Sequence, residues 1–346
     1  MTTTIVGTSF TERIADFVLF DVPGKPVDVI KKQLQLAIEV EFATIPAYLC
    51  GLWSIKDSGK DSKAYKLIRS VVVEEMLHMG LACNMLTAVG GTPVIKPPVY
   101  PTVLPGGVEA GLTVRLRGLT KEYVEKTYMV IESPEVPSLP PLVTGPPVTI
   151  GAFYDELLQK LRRYCPLLTT QNQLEDEGLG LYKIQGFADI ERAITEIKAQ
   201  GEGTASLPGI SDEPDELAHY YKFAQVVAGG ELIKKGTGRW EYSKELPVPF
   251  PEAWPMAVVP KGGYAKDKAA YDVTPETQAK LTAFNTAYME TVRLLQAAWT
   301  PGQGGQAKLT EAENAMFGLK KLAAPLYATV NPKDKAQSFG PEFLGT

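Results

Sequence analysis

The chain contains two histidines, His78 and His219, and each closes a Glu-x-x-His run: Glu75-Met76-Leu77-His78 and Glu216-Leu217-Ala218-His219. Residues three apart are neighbours on one face of a helix, so each run can present a carboxylate and an imidazole to a single point. Two such runs, with one glutamate from each of two further helices, build a dinuclear metal site inside a four-helix bundle. A chain that places its only histidines in this pattern is constrained toward that architecture.

The periodicity supplies the helices. Leu34, Ala37, Ile38, Glu41, Ile45, Tyr48 and Leu52 recur at helical spacing, which predicts a helix over about 27–57, interrupted at Pro46 by the loss of a backbone donor. A second helix is expected over 62–89, ended by Gly90-Gly91, and the short turn around Gly59 makes the two antiparallel neighbours. Residues 91–150 hold eleven of the 27 prolines, which excludes long helices there. Leu112–Arg117 alternates as a strand does, and Tyr128–Ile131 reads as another, so 91–187 is expected to be a partly β insertion with a short helix at 150–164. Third and fourth bundle helices are expected over 188–202 and 212–229, the latter with Asp212 as N-cap and Pro214 in its first turn. An irregular aromatic loop over 236–272 and two closing helices within 274–329 complete one domain spanning 1–346.

Glu41 falls in the middle of the apolar stripe of the first helix, whereas Glu39 points away from it. A glutamate among aliphatics costs several kcal/mol unless it is neutralised, paired or metal-bound, so ligation competes here with a hydrogen bond to Tyr48 or an arginine. Glu41 lies 18 residues before Gly59, while Glu75 and His78 lie 16 and 19 after it. At about 1.5 Å per residue, the three share one level of the hairpin. Glu74 also flanks His78 and suits an acceptor for an imidazole N–H. Glu202, near the end of the third helix, is the expected sixth ligand, ahead of Glu196 and Glu156, with a solvated helix end as the alternative. Tyr48 and Tyr220 neighbour these ligands and are the candidate proton or hydrogen-bond donors, core packing being the alternative. Four carboxylates and two imidazoles form a hard donor set that favours two iron ions, with manganese as the alternative, over zinc or copper.

Composition excludes several classes. A net charge of −5 gives no basis for binding nucleic acid or an anionic membrane. The first residues lack the basic start and apolar run of a signal peptide, and no apolar stretch is clean enough to span a bilayer. Three cysteines, Cys50, Cys83 and Cys165, make no disulfide framework, so a reducing cytoplasm is expected.

Four ordered blocks, Ala37–Tyr48, Glu74–His78, Gln200–Thr204 and His219–Phe223, resemble the ferritin-like domain of iminophenylpyruvate dimer synthases, which couple oxidised aromatic amino acids in violacein-type pathways. The resemblance covers about residues 27–330. It implies a mainly α fold, a ferritin-like antiparallel four-helix bundle with a Pro-rich, partly β insertion and extra C-terminal helices. It also implies Glu41, Glu75, His78, Glu202, Glu216 and His219 as the metal-site residues. The dimer synthases are much longer chains, so the resemblance bears on fold and metal site more than on the coupling reaction.

The expected activity is a dinuclear metal oxidase or oxygenase that uses O2 on a small, amino-acid-derived molecule of secondary metabolism, with the aromatic loop either a lid or a packing segment. The alternative is a manganese-catalase-like or iron-oxidising protein without an organic substrate. The sequence leaves room for a homo-oligomer.

Overall fold

The computed structural model describes residues 26–134, 149–164, 166–203, 217–236 and 240–345. Its centre is α1, Pro26–Ser54, with proline at the helix start, where its missing N–H costs nothing. Every residue from Val40 to Leu52 is buried, Glu41 included. A helix enclosed on all sides must be flanked by partners on all sides, and α1 is. On one side it packs antiparallel to α2, Lys63–Ala88, across a tight turn at Asp57–Gly59. The Ser62 hydroxyl caps α2 by accepting from the Tyr65 N–H at 3.1 Å.

The Pro-rich stretch holds a helical segment, α3, residues 121–131, made of an α turn, a π turn over Val124–Tyr128 and a further α turn. Tyr128–Ile131 is therefore helix rather than the expected strand. Residues 112–117 form no ladder either: Val114 makes an isolated bridge to Thr102, and the Leu116 carbonyl accepts from the Val259 N–H. Their alternating apolar residues, Val114 and Leu116, are buried without a strand partner of any length. Helix α4, Ile150–Tyr164, packs on α1 and on α5, Phe187–Gly201.

Helix α6, His219–Ala228, packs against α2 and α3. It starts later than the expected 212: Ala218 is the N-cap, in extended conformation, so His219 is the first helical residue. The run 216–219 is accordingly not one turn of helix. The expected N-cap Asp212 and the candidate ligand Glu216 lie outside the described residues, as does Cys165.

Beyond α6 the chain forms an antiparallel hairpin of β1, Gly230–Lys234, and β2, Trp240–Pro247, so the start of the aromatic stretch is strand rather than irregular. The rest of that stretch packs at the C-terminal end of α1: the Trp254 N–H donates to the Ser54 carbonyl at 2.7 Å, Ala253 bridges to Ile55, and Glu252 pairs with Lys56. Ser54 is 13 residues, about 20 Å of helix, from Glu41. The closing helices α7, Pro275–Trp299, and α8, Gln306–Tyr327, form a hairpin against the other side of α1, followed by a small β3–β4 ribbon, Val330–Asn331 with Asp334–Ser338.

Among the described residues, α1 alone is long and apolar enough to cross a membrane, and 89% of its most apolar window is buried inside the protein. Cys50 and Cys83 are buried free thiols.

Candidate metal centre

The site lies where α1, α2, the end of α3, α4 and α6 converge. Glu41 from α1, Glu75 and His78 from α2, Glu132 at the end of α3 and His219 from α6 are each at most 2% exposed. The two imidazole rings stack with centroids 5.3 Å apart and 23° between planes. His219 Nδ1 lies 2.9 Å from Glu75 Oε1 and 3.4 Å from Glu132 Oε2, and His78 Nδ1 lies 3.8 Å from Glu41 Oε2. Ligand atoms of Glu75, His78 and His219 fall within 4.8 Å of one another.

The outer nitrogens are held from behind. His78 Nε2 is 2.7 Å from Gln200 Oε1 on α5, and His219 Nε2 is 2.8 Å from Glu74 Oε2. Glu74 thus supports the imidazole of the opposite helix rather than its neighbour His78. Lys222, one turn after His219, pairs with Glu74 at 2.5 Å. Burial would raise the Glu74 pKa, but the hydrogen bond and charge of His219, joined by Lys222, outweigh it and bring the carboxyl down to about 2. With Nε2 of each ring committed, both Nδ1 atoms are turned inward, the arrangement in which a partner fixes tautomer and ring orientation for metal binding.

Hydroxyls hold the carboxylates in the same way. Tyr154 on α4 donates to Glu41 Oε1 at 2.6 Å, Thr44 donates to Glu75 Oε2 at 3.0 Å, and Tyr48 donates to Glu132 Oε1 at 2.5 Å. Burial, and then the charge of Glu132, push the Tyr48 phenol well above its ordinary range, so Tyr48 keeps its proton and acts as a donor. Tyr128, delivered by the π turn, sets the Tyr48 ring edge-on at 4.6 Å and bonds the Ala47 carbonyl at 2.7 Å.

Burial, then the facing Glu75, drive Glu41 well above the ordinary carboxylate range; burial, then Glu132, raise Glu75. Burial opposes a charge on His219, yet Glu132, Glu74 and Glu75 outweigh it and hold the imidazole protonated far above its usual range. His78, buried and beside that positive charge, drops to about 3. Glu41 and Glu75 are thus pushed toward the protonated form unless a further cation faces them. His219 Nδ1 approaches Glu75 Oε1 at 2.9 Å, but without the angles of a hydrogen bond. Two inward imidazole nitrogens and three convergent carboxylates fit a metal ion or a pair of them.

The structure brings together Glu41, Glu75, His78, His219 and Tyr48 of the sequence-chosen residues. Glu202 turns to Gly151: its Oε1 accepts from the Gly151 N–H at 2.6 Å, and burial, against that bond and with the charge of nearby Glu132 adding to it, raises its carboxyl to about 7. A Cβ on Gly151 would lie 2.4 Å from Glu202 Oε2, so the lack of a side chain at 151 is what admits this carboxylate. The Tyr220 ring lies edge-on to Tyr221 at 5.0 Å. Two residues that sequence reasoning missed occupy the site: Glu132, which shares His219 with Glu75, and Tyr154. Both come from the Pro-rich insertion, and neither sits on a periodic carboxylate or histidine pattern. The only signal available was the need of Tyr48, on the Glu41 stripe, for a buried acceptor.

Among solved structures, the chain is similar to a crystal structure of a ferritin-like protein from Caulobacter vibrioides, at 21% identity, covering 85% of this chain and 95% of that one with a TM-score of 0.55. That degree of identity speaks to the fold. No curated protein matches the chain. A family model described as Ferritin-like matches residues 34–228, from within α1 to the end of α6, and so takes in all five converging ligand candidates. The chain belongs to the ferritin-like family.

Proposed function

We propose that the protein is a non-haem dinuclear metal oxidase or oxygenase, with two iron ions held by Glu41, Glu75, His78, Glu132 and His219. Glu202 and Glu216 are the remaining carboxylate candidates, and manganese is the alternative metal. The observation that carries the reading is the convergence of two inward imidazole nitrogens with the buried carboxylates of Glu41, Glu75 and Glu132. When bound, such a metal pair supplies redox equivalents and a binding position for O2. The protein's own share is positional. Gln200 and Glu74 fix the imidazoles, Tyr154, Thr44 and Tyr48 fix the carboxylates, and Lys222 balances Glu74. The dry surroundings exclude bulk water from the reacting positions.

The substrate class belongs to the same proposal: a small, amino-acid-derived molecule of secondary metabolism, supported by the likeness of the four motif blocks to the dimer synthases. A single ferritin-like domain, a cytoplasmic setting, a homo-oligomer and the absence of nucleic-acid or membrane partners are the corresponding expectations. The aromatic stretch, packed at the far end of α1, fits a packing segment better than a lid.

The test is metal analysis of protein produced with iron, followed by O2-uptake assays with reductant and aromatic amino-acid or imino-acid substrates. About two metals per chain and substrate-dependent O2 uptake are expected. Uptake that needs only free Fe(II) or peroxide would instead identify an iron-oxidising or catalase-like protein.

A further inference from the structure

The two imidazoles of the cluster are backed by unlike groups. His219 Nε2 donates to a carboxylate, Glu74 Oε2, at 2.8 Å, whereas His78 Nε2 donates to a neutral amide oxygen, Gln200 Oε1, at 2.7 Å. The bonds are nearly equal in length, so the difference between them is one of charge. A carboxylate pulls harder on the Nε2 proton than an amide does, and it leaves more electron density on the far nitrogen of the ring. The inward Nδ1 of His219 is thereby the better donor to a cation.

The inner carboxylates are distributed just as unevenly. Among the described residues, His219 Nδ1 has Glu75 Oε1 at 2.9 Å and Glu132 Oε2 at 3.4 Å, while His78 Nδ1 has Glu41 Oε2 at 3.8 Å. Coulomb attraction grows as distance falls, so a cation beside His219 meets more negative charge at closer range. Lys222 tempers this from outside by pairing with both oxygens of Glu74, at 2.6 and 2.5 Å. It also fixes that carboxylate in place, and the carboxylate oxygen rather than the ammonium is what faces the imidazole.

We infer that the two metal positions are unequal: the one at His219 takes a divalent cation first and holds it more tightly, and the one at His78 fills second. Glu74 and Gln200 are the positioning residues that set this order. The inference rests on the metal-centre reading above and goes beyond it by ranking the two positions. Protein short of metal then carries one ion rather than two.

Mn(II) alone is the probe, because it binds without a redox change and its free aqua ion is read directly by electron paramagnetic resonance. Full-length protein stripped with a chelator should take up two Mn(II), the first roughly tenfold or more tightly than the second. Glu74→Gln should weaken the tighter step by about tenfold or more and bring the two steps together. Gln200→Glu should strengthen the weaker step by roughly tenfold, a gain that a merely structural role for Gln200 does not produce. Two steps of equal strength in the parent overturn the inference and leave the metal centre standing. So does a folded Glu74→Gln that keeps the parent's tighter step, or a folded Gln200→Glu that keeps its weaker one. No uptake of Mn(II) by the folded parent overturns the inference and, joined to the absence of iron on elemental analysis, the metal-centre reading as well. Thermal unfolding followed by circular dichroism shows which variants are folded, and should one fail to fold, the other decides.

Discussion

His78 and His219, separated by 141 positions in the chain, stack ring on ring at 5.3 Å, each with one nitrogen tied outward and one turned toward buried carboxylates, Glu41 for His78 and Glu75 with Glu132 for His219. Stacked imidazoles in a dry interior are poor neighbours when charged, since each proton penalises the other. Their outward bonds, to Gln200 and to Glu74, resolve this by leaving the inward positions for a common partner.

Removing an inward imidazole should empty the site. His219→Ala is expected to reduce bound metal from about two per chain to less than one, measured by elemental analysis of protein grown with iron. Glu39→Ala serves as the control, because Glu39 is held on another face of α1 by Gln35 at 3.2 Å. Equal losses in both would show that the cluster is not the metal site.

Glu132 should matter more than its place in a Pro-rich segment suggests. Glu132→Ala is expected to lower metal content as strongly as Glu75→Ala. Tyr48→Phe, which removes only the hydroxyl holding Glu132, should lower metal affinity about 10- to 100-fold, as losses of supporting hydrogen bonds around metal sites do. Competition with a chelator of known affinity reads both effects.

Breaking the support of His219 should show as an acid-sensitive stability loss. Glu74 titrates near 2 in the folded protein and near 4.5 when unfolded. Its contribution is therefore complete above 4.5 and is lost as pH falls toward 2. Lys222→Met leaves a partly exposed carboxylate with one partner fewer and should cost about 2 kcal/mol at neutral pH, with the acid unfolding midpoint moving to higher pH. Urea unfolding across pH 3–7 measures it.

Glu202 predicts the opposite sign. Its folded value of about 7 lies above the ordinary 4.5, so the metal-free native state holds the extra proton between those values. Stability is then greatest below 4.5 and falls as pH rises through 7, by on the order of 3 kcal/mol for this group. Glu202→Gln should flatten that fall in urea unfolding of metal-free protein between pH 4.5 and 8. An unchanged slope would show that Glu202 is not buried against Gly151 in the way described.

Much of the site was readable along the chain because helical spacing is a local property. Glu41 interrupts an apolar stripe at a fixed period, and Glu75 with His78 sits three apart on a helix whose bounds differ from the expected ones by a residue at each end. Counting outward from Gly59 placed these three at one level, and His78 Nδ1 does lie 3.8 Å from Glu41. The same reasoning overreached at 216–219, where the spacing is present but the helix begins only at His219. A spacing of three is a face only where the backbone is helical, and Ala218 is extended.

The sequence by itself determined the long α1–α2 hairpin, the buried carboxylate on it and the two imidazoles, because periodic burial and a short turn are written in consecutive residues. Tertiary structure alone decided that Glu132 and Tyr154 from the Pro-rich insertion complete the cluster and that Glu202 turns to Gly151 instead. Those choices rest on contacts between residues 84, 113 and 51 positions apart, in the Tyr48–Glu132, Glu41–Tyr154 and Gly151–Glu202 pairs. Such pairings follow from how whole helices pack, and no local pattern of side chains encodes them.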